Sequence, residues 1–224
     1  MAAALALFLA LWNNLVNRVP GFQRVYVPVN LALAATLLAL AGRWGLDRTA
    51  LGLGGDALGR GLAVGGALAA LVALAYGVAL AVPRLRPLLS DARVADLGPP
   101  ALAYGALVRV PLGTVVWEEV AFRSVLLAAW SAEQPVALAV AASSAVFGLW
   151  HVVPTLVLLD ANGVRDRRTR GTAVAGAVLA TSIAGAGLCA LRLLTGSLAA
   201  PVLVHTASNS IGLVAGAAAG RRTR

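Results

Sequence analysis

Both histidines of this chain, His151 and His205, fall inside apolar stretches long enough to cross a membrane. Each opens or closes a four-residue step, Phe147-Gly-Leu-Trp-His151 and His205-Thr-Ala-Ser-Asn209, and a third apolar stretch carries Glu118-Glu119-Val-Ala-Phe-Arg123. Ionisable groups are expensive in lipid, so their default reading is functional. On a helix, Glu119 and Arg123 are i,i+4 and can pair, while Glu118 points about 100° away and is free to face another partner. Two adjacent carboxylates with different surroundings can hold different roles. Phe147 and His151 share one helical face, with Pro154 loosening the backbone one turn on. His205 and Asn209 share another, forming a compact donor surface of the kind that holds an oxyanion.

Each patch alone also has a structural reading: a charge pair at a helix end, a histidine bonded to a neighbouring carbonyl, a polar contact between helices. Three such patches on three spans, each with these side-chain types, favour one shared site. Glu118, His151, His205 and Asn209 converging between helices would make a water-activating hydrolytic centre. Glu118 would be the general base, His151 would hold the water, and His205 and Asn209 would stabilise the oxyanion. A second arrangement of the same residues is a zinc site, with Glu118, His151 and His205 as ligands beside a bound water. No His-Glu-x-x-His signature accompanies it.

The elements that must position these patches are transmembrane helices. The chain is 224 residues, 60% hydrophobic and only 12% charged, about half the charge of a soluble domain. The expected fold is all-α, a polytopic bundle of seven spans, or eight, with the site in a cavity between helices. The spans read as 2–18, 25–42, 61–83, 99–131, 135–159, 171–194 and 197–217. Pro111 and Gly113 interrupt the fourth, so residues 99–131 form one kinked span or two short ones. Loop charge arbitrates. With one span, twelve arginines collect on one side and only Arg43, Arg48 and Arg60 on the other; with two, the split is ten against five. The positive-inside rule therefore favours seven spans and a cytoplasmic C-terminus. The first stretch reads as a retained span, because Asn13, Asn14 and Asn17 stand where a signal peptide would have small residues for cleavage. Gly65-Gly66, Gly176 and Gly185-Ala-Gly187 are expected where helices approach closely.

The net charge of +9 comes entirely from arginine. It is topogenic rather than a nucleic-acid footprint, since no basic face accompanies it. Arginine without lysine, with abundant Ala and Gly, points to a GC-rich prokaryotic genome. Cys189 is the one cysteine, which excludes an intramolecular disulfide and reads as a small packing residue. Arg192 is expected to snorkel to an interface. Arg109, deeper in its span, is expected to pair with a carboxylate. The 160–170 loop reads as solvated and cytoplasmic.

The ordered set Glu-Glu-x-x-x-Arg, Phe-x-x-x-His, His-x-x-x-Asn resembles the CPBP family of intramembrane endopeptidases, related to the type II CAAX prenyl proteases and to bacteriocin-processing and immunity proteins. The motifs stand intact here as Glu118, Glu119 and Arg123; Phe147 and His151; His205 and Asn209. Leu51-Gly-Leu-Gly54 resembles a further common feature. The chain is expected to divide into three N-terminal spans over 1–98, a catalytic core over 99–217, which is the part the resemblance covers, and a basic tail over 218–224. The resemblance implies hydrolysis of a peptide bond in a membrane protein or peptide, with Glu118 as catalytic glutamate, Glu119 and Arg123 as a structural or substrate-orienting pair, and Phe147 as a cavity wall. Its members are labelled metalloproteases, although water activated by glutamate alone is also proposed for them. The alternative is a non-catalytic immunity or scaffold protein that retains the motifs. A transporter is disfavoured by the lack of inverted repeats.

Overall fold

A computed structural model describes residues 1–222 apart from Asn17; Asn17, Thr223, Arg224 and the side chain of Arg222 lie outside the described residues. The fold is all-helical, with no strand among the described residues. Seven helices follow one another: α1 (Ala2–Val16), α2 (Phe22–Arg43), α3 (Gly55–Ala81), α4 (Pro99–Glu133), α5 (Val136–Ala161), α6 (Arg167–Thr195) and α7 (Ala199–Arg221). The last six are long and apolar enough to cross a membrane. Helix α1 has 15 residues, about 22 Å at 1.5 Å per residue, so the expected first span falls short of a full crossing by its own helical length. Residues 99–131 form one span, as the loop charges favoured: α4 runs unbroken for 35 residues past Pro111 and Gly113.

The distribution of apolar side chains fits a bilayer. Leu71, Leu74, Leu179 and Ile183 stand 60–65% exposed on α3 and α6. In water such surfaces would drive association; in lipid they are the solvated face. The core is built around α4. From Trp117 to Ala129 every residue is buried, which marks a helix surrounded by others. Trp117, Phe122, Val125 and Leu126 pack against Leu5 and Leu9 of α1, Ala34 and Leu37 of α2, and Phe147 and Trp150 of α5.

Close approaches explain some glycines and not others. A Cβ on Gly65 would lie 2.7 Å from Ala200 Cα, so α3 and α7 meet there backbone to backbone. Gly113 likewise admits Tyr26 and Val27 of α2, and Gly185 admits Phe147. Gly66, Gly176 and Gly187, also expected at interfaces, face open space. At the end of the bundle carrying the 160–170 loop, Asp160 pairs with Arg165 and Arg170, and Asp166 caps α6 by accepting from the Thr169 backbone N–H at 2.7 Å.

Gly65→Ala is expected to destabilise the purified protein by about 1–3 kcal/mol through overpacking. Gly66→Ala, one position on with room for a methyl, is expected to be neutral or slightly stabilising. Thermal unfolding of the two variants in one detergent measures the contrast.

Candidate active site

The helices that carry the motifs are not regular. Hydrogen bonding shifts to i→i+5 over Gly105–Val115 and Glu119–Leu126 of α4 and over Ala207–Ile211 of α7. Such widened turns concentrate at functional sites. The wide turns of α4 and α7 touch, and Ser210 Oγ donates to the Ala106 carbonyl across them at 2.8 Å. Helix α5 is interrupted at His151, whose φ of −93° and ψ of 3° place it between two helical segments. Pro154 is the cause. It has no N–H for the Trp150 carbonyl four residues back.

In a membrane that carbonyl must find another donor. Asn13 Nδ2 supplies it at 3.0 Å. Asn14 completes the repair: its Nδ2 donates to the Leu149 carbonyl at 3.0 Å and its Oδ1 accepts from the Val153 N–H at 2.9 Å. Sequence reading treated these asparagines only as evidence against cleavage. Their signal was present, since two amides in an apolar helix need partners, but the partners lie more than 130 residues away.

Glu119 and Arg123 form the expected pair, Nη1 to Oε1 at 3.1 Å, both side chains fully buried. Neither side chain lines the cavity. The same Oε1 accepts from His205 Nδ1 at 2.7 Å. The Arg123 guanidinium also lies 3.9 Å from the Phe147 ring centroid, a cation–π contact in a desolvated site. Phe147 thus lies beneath the site, edge-on to His151 at 4.7 Å and His205 at 6.1 Å. The cavity wall that the resemblance assigned to it is formed by other residues.

Glu118 takes a different direction. Its Oε1 accepts from Trp150 Nε1 at 2.9 Å, and its Oε2, without a hydrogen-bond partner, lies 3.7 Å from His205 Nε2. That separation is too long for a direct hydrogen bond. Because Nδ1 of His205 is taken by Glu119, the ring is oriented with Nε2 toward Glu118. His151 is fixed similarly, its Nδ1 donating to the Phe147 carbonyl at 2.8 Å, which leaves Nε2 as its remaining nitrogen. Glu118, His151 and Asn209 line one cavity of about 950 Å³, which extends to the 82–98 connection between α3 and α4. His205 stands behind Glu118 and is 7% exposed. At the mouth, Asp91 is held below the usual carboxylate range. Its partial burial works in the opposite direction, and the bonds from the Arg93 side chain and backbone N–H outweigh it.

The residues of the zinc arrangement stand as follows. Among the described residues no three His, Cys, Asp or Glu side chains are grouped to hold one ion, while Glu118, His151 and His205 each keep one donor atom beyond the bonds given above. Two expectations change. Arg192 does not snorkel: it is 8% exposed and donates to the Thr49 and Ala50 carbonyls of the α2–α3 loop. Arg109 enters no ion pair among the described residues. It lies over the Tyr26 ring and donates to Gln23 Oε1.

Residues 100–211, half of the chain, match the family model described as type II CAAX prenyl endopeptidase Rce1-like. The chain belongs to that family. The match spans all three motifs, and with six apolar helices it makes the protein an Rce1-like integral membrane protein of an endopeptidase family. No curated protein and no solved structure matches the chain. Within this Rce1-like core, Trp150 is a site residue that sequence reading missed. Its signal was adjacency to His151, but an indole in an apolar helix reads as packing until its N–H is seen on Glu118.

Arg123→Ala leaves Glu119 buried without its cation and is expected to cost about 3–5 kcal/mol. Asn14→Leu keeps the volume but strands the Val153 N–H and Leu149 carbonyl, at an expected cost of about 1–3 kcal/mol. Thermal unfolding of each variant in detergent gives both values; unchanged midpoints would show that these contacts hold nothing together.

Proposed function

We propose that the cavity hydrolyses a peptide bond of a membrane-associated protein or peptide, with Glu118 as the general base. The observation that carries this reading is the state of that carboxylate. One oxygen is tethered by the Trp150 indole, and the other has no hydrogen-bond partner. Glu119 also has one oxygen without a partner, but Glu118 alone of the two lines the cavity, and there such a lone pair suits a group that receives a proton during a reaction. In the proposed step a water on the cavity side gives its proton to Glu118 as its oxygen attacks the substrate carbonyl carbon. Oxygen of that carbonyl becomes an oxyanion, and the C–N bond breaks as the proton passes on to the leaving nitrogen.

His151, with Nδ1 already bonded, has Nε2 available to hold the water. Asn209 lines the same cavity with its carboxamide outside every hydrogen bond among the described residues, which suits it to the oxyanion. The geometry supports His205 less well in the oxyanion role expected for it. Its two nitrogens face Glu119 and Glu118, which suits it to orienting the base. No step is assigned to zinc, for which the donors are not grouped. The cavity extends to the end of the bundle where the arginine-rich loops lie. We read that end as cytoplasmic by the positive-inside rule, with the C-terminus on the same side in a prokaryotic cell membrane.

Glu118→Gln is nearly isosteric and keeps an acceptor for Trp150. It is expected to lower cleavage of a fluorogenic peptide with an apolar C-terminal segment by at least 10²–10⁴-fold, roughly the weight of a general base. Asn209→Ala should lose about 10²–10³-fold. Both should keep their unfolding midpoints. Full activity in Glu118→Gln would remove the base, and inhibition by a chelator reversed by zinc would return the metal arrangement.

A further inference from the structure

The N-terminal helices place four polar side chains on the cavity wall: Asn13, Gln23, Tyr26 and Tyr76. Three of them are occupied within the protein. Asn13 donates to the Trp150 carbonyl, Tyr76 donates to the Ser208 carbonyl, and Gln23 accepts from Arg109. Tyr26 differs. Its hydroxyl meets Thr114 Oγ1 of α4 at 3.0 Å, and Thr114 lies on the same wall. Two hydroxyls carry two hydrogens, and the bond between them uses one. The second has no acceptor among the described residues. A helical threonine can return its hydrogen to the carbonyl one turn back, as Thr155, Thr181 and Thr195 do. Thr114 bonds Tyr26 instead. Asn30 Oδ1, a buried acceptor one turn from Tyr26 on α2, is without a hydrogen-bond partner, so it does not take the spare hydrogen either.

The phenol is held in place before any ligand arrives. Phe22 packs edge-on to its ring at 5.6 Å, and the Arg109 guanidinium lies 4.6 Å from the ring centroid. Gly113 leaves the room, since a Cβ there would lie 3.0 Å from Tyr26 Cδ1. A donor fixed in this way loses little freedom on binding. Its distance from the proposed base follows from the helix that carries both Thr114 and Glu118. Residues four apart on a helix stand about 5–6 Å from each other. The Tyr26 oxygen is a further 3.0 Å from Thr114. The hydroxyl therefore sits on the order of 6–9 Å from Glu118, roughly two residues of an extended peptide at about 3.3–3.6 Å each.

We infer that the Tyr26 hydroxyl donates a hydrogen bond to a backbone carbonyl of the bound peptide, about two residues from the bond that is cut, while Thr114 donates to Tyr26 and fixes the hydroxyl. This rests on the peptidase reading of the cavity. A peptide backbone suits a lone donor in a mostly apolar wall, because every residue brings a carbonyl that must be paired once it leaves water. Tyr26 lies outside the matched residues 100–211, so the contact comes from an N-terminal helix that carries none of the motifs.

The test uses the full chain in nanodiscs and a dye-labelled peptide with an apolar C-terminal segment. In the Glu118→Gln protein, Tyr26→Phe keeps the ring and its packing and should weaken peptide binding about three- to tenfold, the share of one hydrogen bond. Thr114→Val should weaken it less, and should add nothing once Tyr26→Phe is present, because it acts through that hydroxyl. In a peptide series with one peptide bond at a time replaced by its alkene isostere, one member should bind as weakly with Tyr26 as without it. With Glu118 present, Tyr26→Phe should raise KM by the same factor and leave kcat near its starting value. Unchanged binding in Tyr26→Phe would overturn the inference, and so would a series in which every isostere stays sensitive to Tyr26→Phe. A lowered unfolding midpoint with binding per folded molecule intact would assign the two hydroxyls to joining α2 to α4 and overturn it too. Because the binding measurements need no hydrolysis, absent cleavage with the Tyr26 effect intact sinks the peptidase reading alone.

Discussion

The carboxylate of Glu119 is the interaction on which the site depends. One of its oxygens takes hydrogen bonds from Arg123 on its own helix and from His205 on α7. Arg123 in turn lies against Phe147 of α5, and Gly185 of α6 leaves room for both. A single buried charge pair therefore touches the four helices α4 to α7. Two charges taken out of water gain little net stability from their attraction, because desolvation offsets it. What such a pair supplies is position. Any slip of α7 against α4 that moved His205 off Glu119 would leave a buried carboxylate and a buried guanidinium with too few partners. That penalty fixes the face of the imidazole turned toward Glu118.

The same logic governs the backbone. A site in lipid needs polar groups aimed inward, and regular helices offer few angles. Here α4 and α7 widen their turns and α5 breaks at His151, and each departure frees backbone groups that water cannot reach. The repairs come from side chains on other helices. Asn13 and Asn14 of α1 bridge the break in α5, Asn30 of α2 donates to the Gly113 carbonyl at 2.8 Å, and Tyr76 of α3 donates to the Ser208 carbonyl at 3.1 Å. The three N-terminal helices, which carry none of the motifs, thus supply donors that let the motif helices depart from regularity.

This division explains what could be read from the sequence. The helices were legible because lipid imposes long apolar runs, and the loop arginines correctly favoured one span over 99–131 against the break suggested by Pro111 and Gly113. The Glu119–Arg123 pair was legible because i,i+4 spacing is a local property. The length of α1 was not, since Asn13 and Asn14 sit in an apolar background and only the fold shows the helix ending at Val16. Nor was Trp150, whose indole reads as core. Arg109 and Arg192 reversed their expected roles for one reason. Sequence gives their depth in a span, but whether a carbonyl, a ring or a carboxylate waits there depends on helices far away in the chain.

Glu118 and Glu119 show why a membrane site can place two identical residues side by side. A turn of about 100° separates their directions, and that is enough to give them opposite surroundings. Glu119 points into the bundle, where Arg123 and His205 share one of its oxygens and the other is sealed in without a hydrogen-bond partner. Glu118 points at the cavity wall, where one indole holds it and one oxygen stays unpaired. The first fixes the imidazole of His205, and that imidazole stands behind the second. Burial and access to the cavity are thereby divided between neighbours on one backbone. The most buried helix of the bundle is the place for them, because there one carboxylate can be held inside the bundle while its neighbour, backed by an imidazole from another helix, lines a cavity shaped by others.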